Sequence, residues 1–125
     1  RAVHSYDTKR ARHRPTERSA EERAESPDVV HPLVRTHPES GRKALYLNPN
    51  RLDRIVGMER ADSDALLDEL TEVARRPEFH FGHVWTVGDA IIWDNRCTMH
   101  RVVIDYPPGE PRIMQRVLLE GDRPF

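Results

Sequence analysis

The chain has 125 residues, 33% charged and 37% hydrophobic, a length that suits about one domain with a modest core. Twenty Lys and Arg against 21 Asp and Glu leave a net charge of -1, which removes the long-range attraction expected of a nucleic-acid or membrane-surface binder. The single cysteine, Cys97, excludes an intrachain disulfide framework and points to a reducing, cytoplasmic setting, and no apolar run approaches the roughly 20 residues needed to cross a bilayer.

Residues 1–28 read as a charged, mobile insert or lid. After Ala2-Val3-His4 comes DTKRARHRPTERSAEERAESPD, with almost nothing to build a core. Thr16 to Glu25 has the composition of one or two helical turns, with Thr16 as cap and Glu17 near the positive helix end. Order is expected from Val29. VVHPLVRTHP and KALYLN flank the turn signal ESGR, which predicts an antiparallel hairpin closed by Pro49.

The clearest helix is Ser63 to Arg75, capped by Asp62 or Ser63 and ended by Pro77. Leu66, Leu67, Leu70 and Val73 form one apolar stripe, enough for a helix that covers a sheet. Phe79, Phe81, Val84 and Trp85 then suggest a strand, TVGD a turn, and Ala90 to Trp93 a strongly apolar strand. The loop Pro107–Pro111 cannot be a central strand. RIMQRVLLEGD predicts a last strand, with Ile113 and Gln115 on one face and Met114 and Arg116 on the other. One helix and five or six short strands describe a mainly antiparallel β structure.

Seven histidines invite a search for metal ligands. His80 and His83 are three apart, which on a strand points them to opposite faces. His31 and His37 are separated by proline, and His4 and His13 lie in the charged prelude. None of these pairs matches a helix-borne HExxH or a CxxC site. His100 stands apart, because it follows the apolar strand and the polar bridge Asp94-Asn95-Arg96. Arg112 and Arg116 follow it. Four apart on a strand, they share a face, roughly 13 Å from one another. Two guanidiniums on an apolar sheet require anions, either internal acids such as Glu120 and Asp122 or a bound carboxylate.

Residues 91–125, with WDNRCTMH at 93–100, the arginine pair at 112 and 116, and GDRP at 121–124, closely resemble the C-terminal end of the taurine/2,4-dichlorophenoxyacetate dioxygenase family. HPLVRTHPESGRKALYLN at 31–48 and PEFHFGHVWTVGDAIIWDN at 77–95 extend the resemblance, which covers 29–125 well and 1–28 loosely. It implies a double-stranded β-helix, or jelly roll, of which this is the C-terminal portion with one covering helix. It also implies Fe(II) and the cosubstrate 2-oxoglutarate. By the resemblance, His100 is the distal metal ligand, Arg112 binds the far carboxylate of 2-oxoglutarate, and Arg116 binds the acidic group of the substrate. Tyr6 and Asn50–Arg51 fall where the family's substrate-facing segments lie, and Asp94 and Asn95 are placed to orient the ligand strand. Trp93 and Cys97 are expected to pack.

One departure is decisive for how the chain is read. The family takes two further metal ligands from an HxD motif, and no histidine here is followed by that pattern. One histidine does not hold Fe(II) selectively. The chain is therefore expected to be the C-terminal portion of a longer enzyme, hydroxylating a small anionic substrate (a sulfonate, sulfate ester or aryloxyalkanoate) with O2 and releasing succinate and CO2. The family also implies a homo-oligomer, dimer or tetramer, with no nucleic-acid or membrane partner. A different class of function remains beside it: a non-catalytic jelly-roll binding or oligomerisation module, in which Arg112 and Arg116 hold structural carboxylates.

Overall fold

A computed structural model describes residues 1–10 and 18–121. The strands are β1 (Ala2–His4), β2 (Val29–His31), β3 (Val34–Thr36), β4 (Lys43–Leu45) and β5 (Leu52–Ile55), and the helices are α1 (Ala20–Glu25) and α2 (Arg60–Ala74). A 3-10 turn covers Pro77–Phe79.

The first sheet has the order β2-β1-β5, antiparallel throughout. Ala2-Val3-His4 is thus its middle strand, so order begins far earlier than the expected Val29. Three residues suffice because Ala2 and Val3 are buried and the strand is paired on both edges. Val3 faces Val30 on one side and Arg54 on the other, and the register towards β5 shifts between Val3 and His4.

The expected hairpin forms, with one change. VVHPLVRTHP does not make one strand, because Pro32 has no N–H to give a ladder. Its first half, β2, pairs with β1, and its second half, β3, pairs with β4 in the register Val34–Leu45, Arg35–Ala44, Thr36–Lys43. Gly41 takes a positive φ of 67° in the ESGR turn, a backbone state that glycine adopts without a Cβ clash. The Tyr46 amide donates to the Leu33 carbonyl at 2.7 Å and extends the hairpin past its last ladder pair.

Helix α2 starts three residues earlier than the capping signals predict, with Glu59 at the cap. Ser63, expected as a cap, is instead fully buried one turn in. Its Oγ accepts the Ile55 amide at 2.8 Å and so joins helix to sheet. Leu67 is also fully buried, in a core with Ala2, Leu47, Leu52 and Ile55, and Leu66, Leu70 and Ala74 pack beside it. Arg10 reinforces this face by pairing with Asp64 and Asp68 of α2. In α1 the cap is Ser19, whose Oγ accepts the Glu22 amide while Glu22 accepts the Ser19 amide, a reciprocal box. The cap expected at Thr16, with Glu17, lies outside the described residues.

The strands expected at 79–85, 90–93 and 112–119 are not formed. Residues 80–121 carry turns but no ladder. Most of their apolar side chains face outward, Ile92 at 98% and Ile113 at 89% exposure, while Ile91 and Trp93 are half-buried. The TVGD turn is present: the Thr86 amide and hydroxyl both donate to Asp89, and Gly88 has a φ of 95°. A strand needs a paired neighbour to satisfy its backbone, and none faces these segments among the described residues. None of the described helices is long and apolar enough to cross a membrane.

Leu67→Ala is expected to lower unfolding stability by about 3 kcal/mol, since it opens a cavity where helix meets sheet. Leu66→Ala, at a half-buried site, should cost less than half of that. Urea denaturation followed by circular dichroism measures both.

Candidate functional site

The β3–β4 turn carries His37 and Glu39 to one edge, where they meet the segment that contains the WDNR motif. His37 Nδ1 accepts the Glu39 and Ser40 amides at 3.3 and 3.2 Å, which leaves the ring proton on Nε2. That Nε2–H then donates to Asp94 Oδ2 at 3.0 Å. From the other side, Arg96 Nε donates to Asp94 Oδ1 at 2.9 Å and Nη2 to Oδ2 at 2.7 Å. The Arg96 amide adds a bond to Oδ1 at 2.8 Å, and Arg96 Nη1 reaches Glu39 Oε1 at 2.9 Å. Hydrogen bonds from Arg96 first, then from His37, hold the Asp94 carboxyl well below the usual carboxylate range. Asp94 and Glu39 in turn hold the Arg96 guanidinium more firmly in its charged form.

His37, Asp94 and Cys97 present ligand-type atoms within 4.8 Å of one another. The arrangement suits an ion pair better than a metal. Both carboxylate oxygens already carry the Arg96 fork, and a fixed guanidinium opposes a second cation at that place. Cys97, expected to pack, is exposed, with Sγ 3.9 Å from the Asp94 carbonyl.

His100 follows this locked segment. Its exposed ring rests against Trp93, centroid to centroid 4.6 Å, and the Trp93 indole N–H donates to Asn95 Oδ1 at 2.9 Å. Trp93, expected only to pack, thus orients the histidine, and Asn95 orients Trp93. Arg112 lies over the Tyr106 ring at 6.0 Å, and Arg116 is exposed. Among the described residues neither arginine forms an ion pair, and no hydrogen bond or ring contact joins either one to His100. Because their strand is not formed, the shared face expected for the pair is not formed either. Glu120 is exposed, while Asp122, the other acid considered for them, lies outside the described residues, as does His13.

A cavity of about 200 Å³ lies at the opposite end of the hairpin, lined by His4, Tyr6, His31, Tyr46, Asn48 and Arg51. The rings of His4, His31 and Tyr46 stand 5.2–5.7 Å apart. Arg51 sits 3.5 Å above the Tyr6 ring, so the two segments suggested by the sequence do meet, although Asn48 rather than Asn50 lines the cavity. Burial, with the nearby charge of His31, pushes the His4 pKa from 6.5 down to about 4. The contributions of His4 and His37 had no distinguishing spacing in the sequence; partners remote in the chain define them.

A sheet and a hairpin with a covering helix thus present a Trp-stacked histidine from a WDNR segment. The family model of the taurine catabolism dioxygenase TauD, TfdA family matches residues 1–118, and the chain belongs to that family. It is 45% identical over 86 residues to the alpha-ketoglutarate-dependent 2,4-dichlorophenoxyacetate dioxygenase of Burkholderia sp. (strain RASC), covering 69% of this chain and 29% of that protein. It is 41% identical over 95 residues to an alkylsulfatase of Acinetobacter baylyi, covering 76% of this chain and 29% of that one. Among solved structures, AAD-2 in complex with Mn(II) and N-oxalylglycine superposes with a TM-score of 0.76 at 39% identity, over 88% of this chain and 43% of that chain. The chain thus spans less than a third of the length of these two curated relatives.

Asp94→Asn should speed hydrogen exchange at the Arg96 and Thr98 amides at least about tenfold, since it removes the charge that binds the segment to the hairpin. A second expectation concerns His4, whose pKa is lower in the folded than in the unfolded chain. The contribution of His4 to stability should be fully present well above pH 6.5 and fall as the pH drops through 6.5 towards about 4, because only the unfolded chain takes up the proton there. Urea midpoints of the native chain and His4→Gln across that range test it; the variant should lose this part of the pH dependence.

Proposed function

We propose that the chain is the C-terminal part of an Fe(II)- and 2-oxoglutarate-dependent dioxygenase with a double-stranded β-helix, and that it hydroxylates a small anionic organic compound with release of succinate and CO2. The observation that carries this reading is the presentation of His100. Its ring is exposed, set by Trp93 and Asn95, and placed directly after a segment locked to the hairpin, in a chain that matches the family over 118 of its residues. The relatives' own names point to substrate classes: 2,4-dichlorophenoxyacetate, (S)-phenoxypropionate and sulfate esters. Each is a small molecule with one strong anion.

The donor set fits the metal in part. An exposed imidazole on a rigid support is a suitable single ligand for Fe(II), and the remaining ligands would come from the two thirds of the family length that this chain does not span. Fe(II) and 2-oxoglutarate, when bound, supply the oxidative chemistry with O2. This chain's residues hold and orient. His100 would be one ligand, with Trp93 fixing its ring plane. Arg112 would hold the far carboxylate of 2-oxoglutarate through a two-point grip. Arg116, two strand repeats further on, would hold the substrate's anion. The exposed apolar residues of 80–121 would become core once the strands of that family length pair with them, which places both arginines on one face. The wall bearing Tyr6 and Arg51 would face the substrate, the charged stretch 5–28 would be the family's variable insert, and the assembly would be a homo-oligomer.

In the full-length protein, Arg112→Gln should weaken 2-oxoglutarate binding by about 100-fold, because one truncated partner leaves a carboxylate unpaired. Arg116→Gln should keep that affinity and lose substrate-coupled succinate release. Isothermal titration and succinate assays separate the two. Equal losses of affinity in both variants, or stability effects alone, would contradict the assignment.

A further inference from the structure

Strand β3 carries an arginine on its inward face. Arg35 is only 3% exposed, and two of its guanidinium nitrogens, Nε and Nη2, are enclosed without a hydrogen-bond partner. These two N–H groups form the side-on edge of the guanidinium, whose spacing matches both oxygens of a carboxylate. The same protein shows that edge in use: Arg96 places Nε and Nη2 on the two oxygens of Asp94. Arg35 has the identical fork, in a drier place, with no acid against it among the described residues.

The surroundings suit an anion. The Arg35 Cζ lies 5.2 Å from the Tyr46 ring, which braces the guanidinium from one face. The same ring contacts His4, whose Nε2 is also buried and unpaired. The residue facing Arg35 across the ladder is Ala44, whose side chain offers it no acceptor. An uncompensated buried guanidinium is strongly unfavourable, so a protein that retains one has a partner for it. A carboxylate of the same size as Asp94's answers the geometry, whereas a lone acceptor such as a carbonyl would leave one N–H unmet.

We propose that Arg35 is a carboxylate receptor built into the hairpin, gripping its ligand through Nε and Nη2 with Tyr46 as the brace. Two sources share that chemistry: a free small carboxylate, or an Asp or Glu side chain of the polypeptide.

The test uses the 125-residue chain and formate as the probe, against sodium chloride at equal ionic strength. The Arg35 Nε–H resonance and the melting temperature are followed in the native chain, in Arg35→Lys, in Arg35→Met, and in Arg112→Gln/Arg116→Gln. If the source is free, formate moves the Arg35 Nε–H signal downfield and raises the melting temperature by several degrees. Both effects vanish in Arg35→Lys and persist in the double variant. If the source is a side chain, the Nε–H signal is already downfield and slow to exchange before formate is added, and Arg35→Lys melts several degrees lower. The proposal is overturned if the Nε–H signal exchanges as fast as those of exposed arginines and ignores formate, or if Arg35→Met matches the native chain's melting temperature in formate. Arg35→Lys keeps the charge and loses only the fork, so it decides the matter even where Arg35→Met does not fold.

Discussion

The carboxylate of Asp94 receives four N–H donors: the backbone amide, Nε and Nη2 of Arg96, and Nε2 of His37. An ionised carboxylate offers about four acceptor sites and no donor, so this one is close to saturated. Among the described residues, and beyond the local turn at Pro77–His80, the hydrogen bonds that tie 80–121 to the rest of the molecule run from His37 to Asp94 and from Arg96 to Glu39. The placement of Trp93, and through it of His100, depends on that junction. The His37 tautomer matters as much as its position. Two amides of the hairpin turn occupy Nδ1, and only then does Nε2 carry the proton that Asp94 accepts.

The molecule therefore has two unlike parts. The described residues between Ala2 and Ala74 are held by a small core, a three-stranded sheet, a hairpin and a helix. Residues 80–121 have the composition of strands without their pairing, and their Ile, Val and Leu side chains, all but the half-buried Ile91, are exposed. Both facts have one physical cause. A β-strand satisfies its backbone only with a neighbour, so a strand-forming sequence without one stays irregular however apolar it is. On the proposed function, the neighbours of these segments would come from the part of the relatives' length that the chain does not span.

How much was legible in the sequence follows the range of the interactions. Helix α2 could be read because its stripe of Leu66, Leu67 and Leu70 is local, and the hairpin because ESGR is a local turn signal. The middle strand β1 could not be read: three residues have no periodicity, and their burial depends on β2 and β5, separated from them by 25 residues or more. Ser63 looked like a cap from its neighbours, but the Ile55 amide claimed its hydroxyl. Of the site, the WDNR segment and His100 were legible through the family motif. Asp94 was expected to orient its neighbours, and it binds Arg96 and His37; His37 itself was passed over as a ligand, because its partner lies 57 residues away. The cosubstrate and substrate assignments of Arg112 and Arg116 rest on the motif and the proposed restored sheet.

The central claim is that His100 is a ligand to catalytic iron. The most direct measurement is the visible absorption of the full-length protein with Fe(II) and 2-oxoglutarate under anaerobic conditions. The account predicts a weak metal-to-ligand charge-transfer band in the native protein and in His80→Ala, a control at an exposed histidine, and its loss in His100→Ala. A band that survives unchanged in folded His100→Ala, or that is absent from the native protein, would contradict it.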